Sequence, residues 1–226
     1  MTSWLVLGTE SPLQLSIGCG SSAMKLFLLM TALSFATAAL VAITSFTRIV
    51  IVLSFLRQAL GTPQLPPNQV VMALALALTT FVMAPTFSQL NHEALTPYMD
   101  DQISGQEAID RGSVPVLNFL LKQTRPEDLR LFYELAQRDR PTRAEEVPMT
   151  IAVPAFMVSE LTTAFRMGLF IFIPMLLIDL LVSAVLMALG MMMVPPTLVS
   201  LPLKAGVFLL ADGWHLLVQS LVRSFG

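Results

Sequence analysis

Long apolar stretches alternate with short charged ones along this chain. Residues 26–47, 58–92 and 180–203 contain no Asp, Glu, Lys or Arg. Each stretch exceeds the ~20 residues that a helix needs to cross a hydrocarbon core of about 30 Å. A backbone in that environment must satisfy its own hydrogen bonds, which a helix does within one segment. The pattern therefore predicts four apolar helices, near 24–47, 68–90, 155–190 and 201–222.

Proline and glycine group these helices into two hairpins. Proline has no backbone N–H and cannot continue a helix without cost, so Pro174 is expected to kink the third helix. The same chemistry marks the two hairpin turns. The first turn is predicted at Gly61, Pro63, Pro66 and Pro67, and the second at Pro195 and Pro196.

Most of the chain's charged side chains lie between residues 93 and 146. Two hydroxyl-x-x-carboxylate pairs, Ser104 with Glu107 and Thr124 with Glu127, are typical of helix capping boxes. Apolar residues follow the second pair at helical spacing, with charges elsewhere on the helical wheel. The pattern predicts a water-facing insert made of short amphipathic helices.

The predicted fold class is all-α, with about four long apolar helices in membrane-type hairpins and a small helical insert outside the membrane. Arg48 and Arg57 flank the first turn, which places that turn in the cytoplasm and the insert and both termini on the outer side. The chain is divided into an N-terminal segment (1–23), a first hairpin (24–92), the insert (93–148) and a second hairpin (149–226) that contains a methionine-rich loop (187–196).

Composition supports a membrane protein and excludes other classes. Hydrophobic residues make up 55% of the 226 residues and charged residues 12%, against about 25% charged in soluble domains; the mean hydropathy is +0.73. A net charge of −2 argues against a nucleic-acid partner. The single cysteine, Cys19, excludes an intrachain disulfide and a cysteine-cluster metal site. No phosphate-binding glycine loop or catalytic motif occurs, so neither an enzyme nor a cofactor is predicted.

Three charged residues lie inside the predicted third helix. Glu160, Arg166 and Asp179 would each cost roughly 2.5–3.5 kcal/mol facing lipid near the bilayer centre. They project from different faces of the helix, so they cannot pair with one another. Each is expected to contact another helix or another subunit, although Glu160 and Arg166 can also extend toward water from near the helix end.

Methionines cluster at the second hairpin turn. Met191, Met192 and Met193 lie between Gly190 and the following prolines, with Met187 one helical turn earlier. Methionine is flexible and repacks readily around different partners. These residues either fill an apolar turn or form a soft constriction where several copies surround an axis.

Long runs of this sequence resemble the FliP family of flagellar biosynthetic proteins. The match extends in order over about residues 24–226 and is far more specific than a short motif. Its most distinctive runs are residues 45–62 (SFTRIVIVLSFLRQALGT), 66–70 (PPNQV), 123–125 (QTR), 153–156 (VPAF), 159–161 (SEL), 172–174 (FIP), 178–180 (IDL), 190–196 (GMMMVPP) and 212–214 (DGW).

The resemblance implies a core subunit of the flagellar type III export gate, located in the bacterial inner membrane within the flagellar basal body. It implies a homo-oligomeric ring with FliQ and FliR, with FlhB and membrane lipids as further partners. Unfolded flagellar substrates would cross the inner membrane through the central pore, which a gasket of Met187, Met191, Met192 and Met193 would seal at rest. The resemblance also implies that the hairpins lie largely above the bilayer plane, shielded by neighbouring subunits.

One departure from the family pattern lies on the third helix. Family members usually carry a lysine at the position of Thr162 and an uncharged residue at that of Arg166. Residues four apart share a helix face, so a basic charge has moved by one turn, which suggests that it follows a partner's carboxylate.

Other functions remain open at this stage. The equivalent subunit of a virulence injectisome, SctR, shares the architecture. A membrane transporter or proton channel could use Asp179 and the kinked third helix, although no inverted repeat of the kind common in transporters is visible. An intramembrane enzyme would need a catalytic pair, and none is present.

Overall fold

The computed structural model describes residues 16–62, 66–139, 141, 143, 146–191 and 193–226. Secondary structure within these ranges is helical and includes no strand, which confirms the all-α class. Two residues of interest, the predicted turn residue Pro63 and the loop residue Met192, lie outside the described ranges.

Nine α-helices and one π turn make up the described part of the chain. In order they are α1 (Ser16–Ile43), α2 (Phe46–Ala59), α3 (Asn68–Leu90), the π turn (Asn91–Leu95), α4 (Thr96–Met99), α5 (Gly105–Gln123), α6 (Pro126–Leu135), α7 (Met149–Ala188), α8 (Pro196–Leu210) and α9 (Gly213–Arg223).

Two compact units divide the chain, residues 1–40 and 41–226. In the first unit, the described helix exposes large apolar side chains that include Phe27, Met30 and Phe35. The second unit contains α2 to α9 and all of the contacts considered below. Helix α7 organises it, because α2, α5, α6 and α8 all pack against this one helix.

Three of the described helical segments are long and apolar enough to cross a membrane: Met24–Ile43, Asn68–Met99 and Met149–Ala188. The pair α8 and α9 counts as a fourth only if it is one span, since the two helices are bent by 64°. Length and apolar composition are therefore those of a membrane protein with three or four spans.

Helix α2 lies where the hydrophobic pattern predicted only a connection. Its residues Ile49, Val52 and Leu56 recur at helical spacing and are buried. The helix was not predicted because its two arginines, Arg48 and Arg57, separate it from the long uncharged stretches on either side. They do not flank a turn: they are separated along α2 by about 14 Å, at 1.5 Å per residue, and only Arg57 adjoins the hairpin turn.

The second hairpin also differs in detail from the prediction. Helix α7 runs from Met149 through Pro174 to Ala188 and so begins six residues earlier than predicted; the kink at Pro174 stays a prediction. The predicted fourth helix is instead interrupted at Asp212, which adopts a left-handed conformation with φ of 51°. At Gly213 the backbone passes so close to Phe208 that a Cβ atom would overlap the phenyl ring.

One of the two predicted capping boxes forms as a helix cap. Ser104 Oγ accepts a hydrogen bond from the backbone N–H of Glu107 at 3.2 Å and caps α5. The prediction for Thr124 is wrong, because its hydroxyl donates back to the carbonyl of Leu120 at 2.7 Å. Pro126 begins α6, so the N-cap falls on Arg125 and Thr124 closes the preceding helix.

Two hydrophobic cores lie along the length of α7. One joins α7 to α2, α3, α8 and α9, and the other joins its first turns to α5 and α6 of the insert. In the first core, Gly168 lets α2 approach closely, since a Cβ there would lie 2.5 Å from Phe55 Cγ. Helix α7 is thus the common wall of the hairpins and the insert.

Candidate functional site: buried charges and the methionine loop

Arg48 of α2 and Glu160 of α7 form a buried ion pair between the two cores. Their side chains are 2% and 0% exposed. Arg48 Nε donates to Glu160 Oε2 at 2.9 Å, and Nη2 donates to the other carboxylate oxygen. A guanidinium that holds both carboxylate oxygens fixes the relative orientation of the two groups as well as their distance. The pair therefore sets how α2 lies on α7.

The residue before Glu160 anchors the insert. Ser159 Oγ donates to Asp128 Oδ2 at 2.5 Å and accepts from the backbone N–H of Arg125 at 2.9 Å. Arg125 Nε donates to the same Asp128 oxygen at 2.9 Å. These bonds close the corner between α5 and α6 onto α7. Two successive residues of α7 thus hold the first hairpin and the insert.

Asp179 of α7 pairs with Lys204 of α8. Lys204 Nζ donates to Asp179 Oδ2 at 2.6 Å and to the carbonyl oxygen of Ala59 at 3.0 Å. The lysine side chain is 6% exposed, whereas that of the aspartate is 41% exposed. One ammonium group therefore joins α7, α8 and the end of α2, while the carboxylate keeps an open side. Sequence reasoning missed Lys204, which served only to mark the end of an uncharged stretch.

Arg166 is the third charged residue of α7, and it lies apart from the other two. Its side chain is exposed, and it makes no ion pair or hydrogen bond with any described residue. Nearby on the same helix, Phe165, Leu169 and Phe170 are also exposed. The structure thus pairs Glu160 with Arg48 and Asp179 with Lys204 within the chain, and it leaves the Arg166 cation on an apolar surface.

The methionine loop lies at the tip of the second hairpin. Met187, Met191 and Met193 are 62%, 44% and 98% exposed. Gly190 has φ of 74°, and its N–H bonds to the carbonyl of Met187 at 3.0 Å, which ends α7 in the manner of a glycine C-cap. Pro195 then caps α8, which begins at Pro196. The loop between the ends of α7 and α8 thus has its described methionine side chains exposed.

Gly61, Pro66 and Pro67 lie in the connection between α2 and α3, in the part of it that the structure describes. Gly61 has φ of 76°, a conformation that glycine adopts without strain. Pro67 precedes the first turn of α3, and Pro66 comes before it in the turn. Arg57 Nη1 donates to Asn68 Oδ1 across the turn. This hydrogen bond joins the end of α2 to the start of α3.

An open apolar groove of about 520 Å³ lies within the second hairpin, between α7 and the pair α8 and α9, and Leu56 of α2 also lines it. Its other lining residues include Met167, Phe170, Pro174, Phe208 and Leu217. Its walls are almost entirely apolar. The described residues contain no group of three or more His, Cys, Asp or Glu side chains able to hold a metal ion. The apolar lining of the groove is of the kind that packs against another helix or an apolar chain.

Comparison with known proteins gives a consistent result. The model of the FliP family matches residues 29–221. The flagellar biosynthetic protein FliP of Bacillus subtilis is 54% identical over 205 residues, which cover 91% of this chain and 93% of that protein. The FliP of Pectobacterium carotovorum is 56% identical over 87% of this chain and 76% of its own length. That of Aquifex aeolicus is 44% identical over 100% of this chain and 96% of its own.

Breaking the buried pair is expected to destabilise the protein strongly. Arg48→Met should lower the free energy of unfolding by about 3–5 kcal/mol, because Glu160 stays buried without a counter-ion. The double variant Arg48→Met/Glu160→Leu should recover most of the loss, since no lone charge remains. Denaturant midpoints in detergent micelles measure both effects.

The matched control is the exposed pair Arg130–Glu134, whose side chains are 76% and 61% exposed. Arg130→Met should change stability by about 1 kcal/mol or less. Equal losses from Arg48→Met and Arg130→Met would contradict a special role for the buried pair.

Lys204 and Asp179 should respond unequally to replacement. Asp179→Ala leaves a buried ammonium group with only the Ala59 carbonyl as acceptor, whereas Lys204→Met leaves a carboxylate that water can reach. Asp179→Ala should therefore lower the amount of folded protein several-fold more than Lys204→Met, and Asp179→Asn should be milder than Asp179→Ala. Size-exclusion chromatography of the purified variants measures this, and an inverse order would show that the aspartate is the more buried partner in the folded protein.

Proposed function

We propose that this chain is a pore-forming subunit of the flagellar protein export gate in the bacterial inner membrane. The chain belongs to the FliP family. Its relatives are named flagellar biosynthetic proteins, and its described helices include spans of membrane length. The observation that carries the pore-forming role is the methionine loop, whose described thioethers are exposed at a hairpin tip held by Gly190 and Pro195. Unfolded flagellar proteins are the proposed substrates.

The exposed surface supports a ring of several copies. Phe170, Ile173 and Leu181 of α7 are 81%, 54% and 67% exposed, so the hairpins keep large apolar faces after the chain has folded. Lipid or neighbouring subunits must cover such faces. The proposed partners in the membrane are further copies of this chain, together with FliQ, FliR and FlhB.

Polar contacts between subunits are proposed at two places. Arg166 is unpaired within its subunit among the described residues and suits a carboxylate of a neighbour. Asp179 keeps an open side beside Lys204 and can accept one further hydrogen bond. Charges at the rim of an apolar contact add register and specificity rather than affinity.

In such a ring each copy brings one methionine loop to the axis. An apolar constriction resists wetting and so holds back ions at rest. Because methionine side chains repack at little cost, the same constriction yields to an extended chain of any sequence. Sealing and passage thus come from one set of side chains.

The insert is proposed to face the periplasm. Arg48 is neutralised inside the protein by Glu160, so the positive-inside argument depends on Arg57 beside the first turn. That turn would lie toward the cytoplasm. The insert contacts α2 near Arg48, at the other end of the helix.

Shortening the methionine loop tests the pore directly. Deletion of Met191–Met193 should let small ions leak across the membrane while protein export persists, because the constriction is lost and the hairpin remains. Isoleucine at the same three positions should seal the pore but slow export, since β-branched side chains are stiff. Ion flux and secretion are measured in cells that produce the chain with its neighbouring subunits.

The control is Met99→Ala, which removes a methionine of the insert that is 80% exposed and should change neither readout. A membrane that stays tight after deletion of the three loop residues, with the gate fully assembled, would show that the loop only fills space.

Side-specific labelling tests the orientation. Cysteines placed singly at Gln106 and Arg138, both exposed, should react with a membrane-impermeant thiol reagent added to the periplasm, with Cys19 replaced by serine. A cysteine at Gln58, exposed near the first turn, should react only after the inner membrane is opened. Labelling in the reverse order would place the insert in the cytoplasm.

A further inference from the structure

The segment after α9 enters the buried ion pair between Arg48 and Glu160. Arg48 Nη1 donates to both the carbonyl oxygen and the hydroxyl of Ser224, at 2.8 and 2.9 Å. The guanidinium carbon lies 3.8 Å from the ring centroid of Phe225, within the range of a cation–π contact. We call Ser224 and Phe225 the clasp.

The clasp completes the hydrogen bonding of Arg48. A guanidinium has five N–H donors. Glu160 accepts from Nε and Nη2, and Gln123 Oε1 accepts from Nη2 at 3.3 Å. Ser224 alone takes the two donors of Nη1. Without the clasp, a side chain that is 2% exposed has two donors without acceptors.

Phe225 holds the clasp in place. Its side chain is 7% exposed, and its carbonyl oxygen accepts from Gln123 Nε2 at 2.9 Å. Leu221, one turn earlier in α9, is fully buried in the same core as Ile49 and Val52. The clasp therefore touches α2 and the end of α5 at once.

These contacts define a junction where α2, α5 and α7 meet at Arg48, Gln123 and Glu160. We infer that the clasp is a strap that closes this junction, so that docking of residues 224 and 225 completes the attachment of the end of α5 to α2, in addition to the hold that Ser159 has on the corner between α5 and α6. Ser224 is synthesised 176 residues after Arg48 and after every other member of the junction. Until it docks, Arg48 and Glu160 can pair, but the guanidinium keeps two free donors and its face stays uncovered.

The alternative is that Arg48 and Glu160 hold the junction alone and the clasp is a passive end of α9. The two ideas differ in which helices become less stable when the clasp is lost. A passive end would loosen only its own helix. A strap would also loosen the end of α5 and the first third of α7, around Glu160, which lie far from it in the chain.

Amide hydrogen exchange on the full chain in detergent micelles separates these outcomes. Phe225→Ala should speed exchange in residues 119–124 and 156–161 by roughly tenfold to a hundredfold, as expected when hydrogen bonds to a charged group open. Phe225→Leu keeps an apolar anchor without the aromatic face and should give a smaller increase at the same places.

Arg223→Gln is the matched control. Arg223 is exposed, makes no ion pair with a described residue and directly precedes the clasp, so its replacement should leave both stretches unchanged. An increase confined to residues 213–226 would overturn the proposal. So would a general loss of protection in α3 and α8 with both Phe225 variants, because a strap that closes one junction does not hold the rest of the core.

Discussion

The contact between Arg48 and Glu160 is the constraint on which the second unit depends. A charged pair with side chains 2% and 0% exposed is stable only when both groups are paired and fully hydrogen-bonded. That requirement forces α2, α5, α7 and the segment after α9 to meet at one point. Because the two hydrophobic cores lie on either side of this point along α7, the pair also determines how the insert is set on the hairpins. Apolar packing alone, which is not directional, would not fix that relation.

Beside its two hydrophobic cores, the chain buries several charged side chains and exposes many large apolar ones, which is unusual in a soluble protein. Glu160, Arg48 and Lys204 are buried, whereas Phe170, Leu210 and Met193 are 81%, 91% and 98% exposed. The interior charges give the folded chain a defined internal geometry. The outward apolar faces leave it dependent on lipid or neighbouring chains, as befits a member of a family of membrane-bound export components.

Much of the helical architecture could be predicted from local patterns. The pattern of apolar residues located α3, α7 and most of α8, and the proline and glycine residues lie in the connections between α2 and α3 and between α7 and α8. The predictions that failed concern a charged residue or a capping residue whose hydrogen-bond partner could not be known from the sequence. The prediction has Arg48 and Arg57 flanking the first turn under the positive-inside rule, and so it misses α2, which contains both of them. Thr124 was assigned as an N-cap, although Pro126 moves the start of α6 by one residue.

The sequence by itself determined the membrane class, the family, the positions of most helices and the composition of the methionine loop. The membrane class and the helix positions depend on hydrophobic periodicity and local backbone chemistry, which act over a few residues, and the family resemblance depends on long matching runs of sequence. The tertiary structure alone decided the partners of the charges. Arg48 meets Glu160 across 112 residues and Ser224 across 176, and Lys204 meets Asp179 across 25. Such pairs depend on which helix faces come together, and no local pattern carries that information.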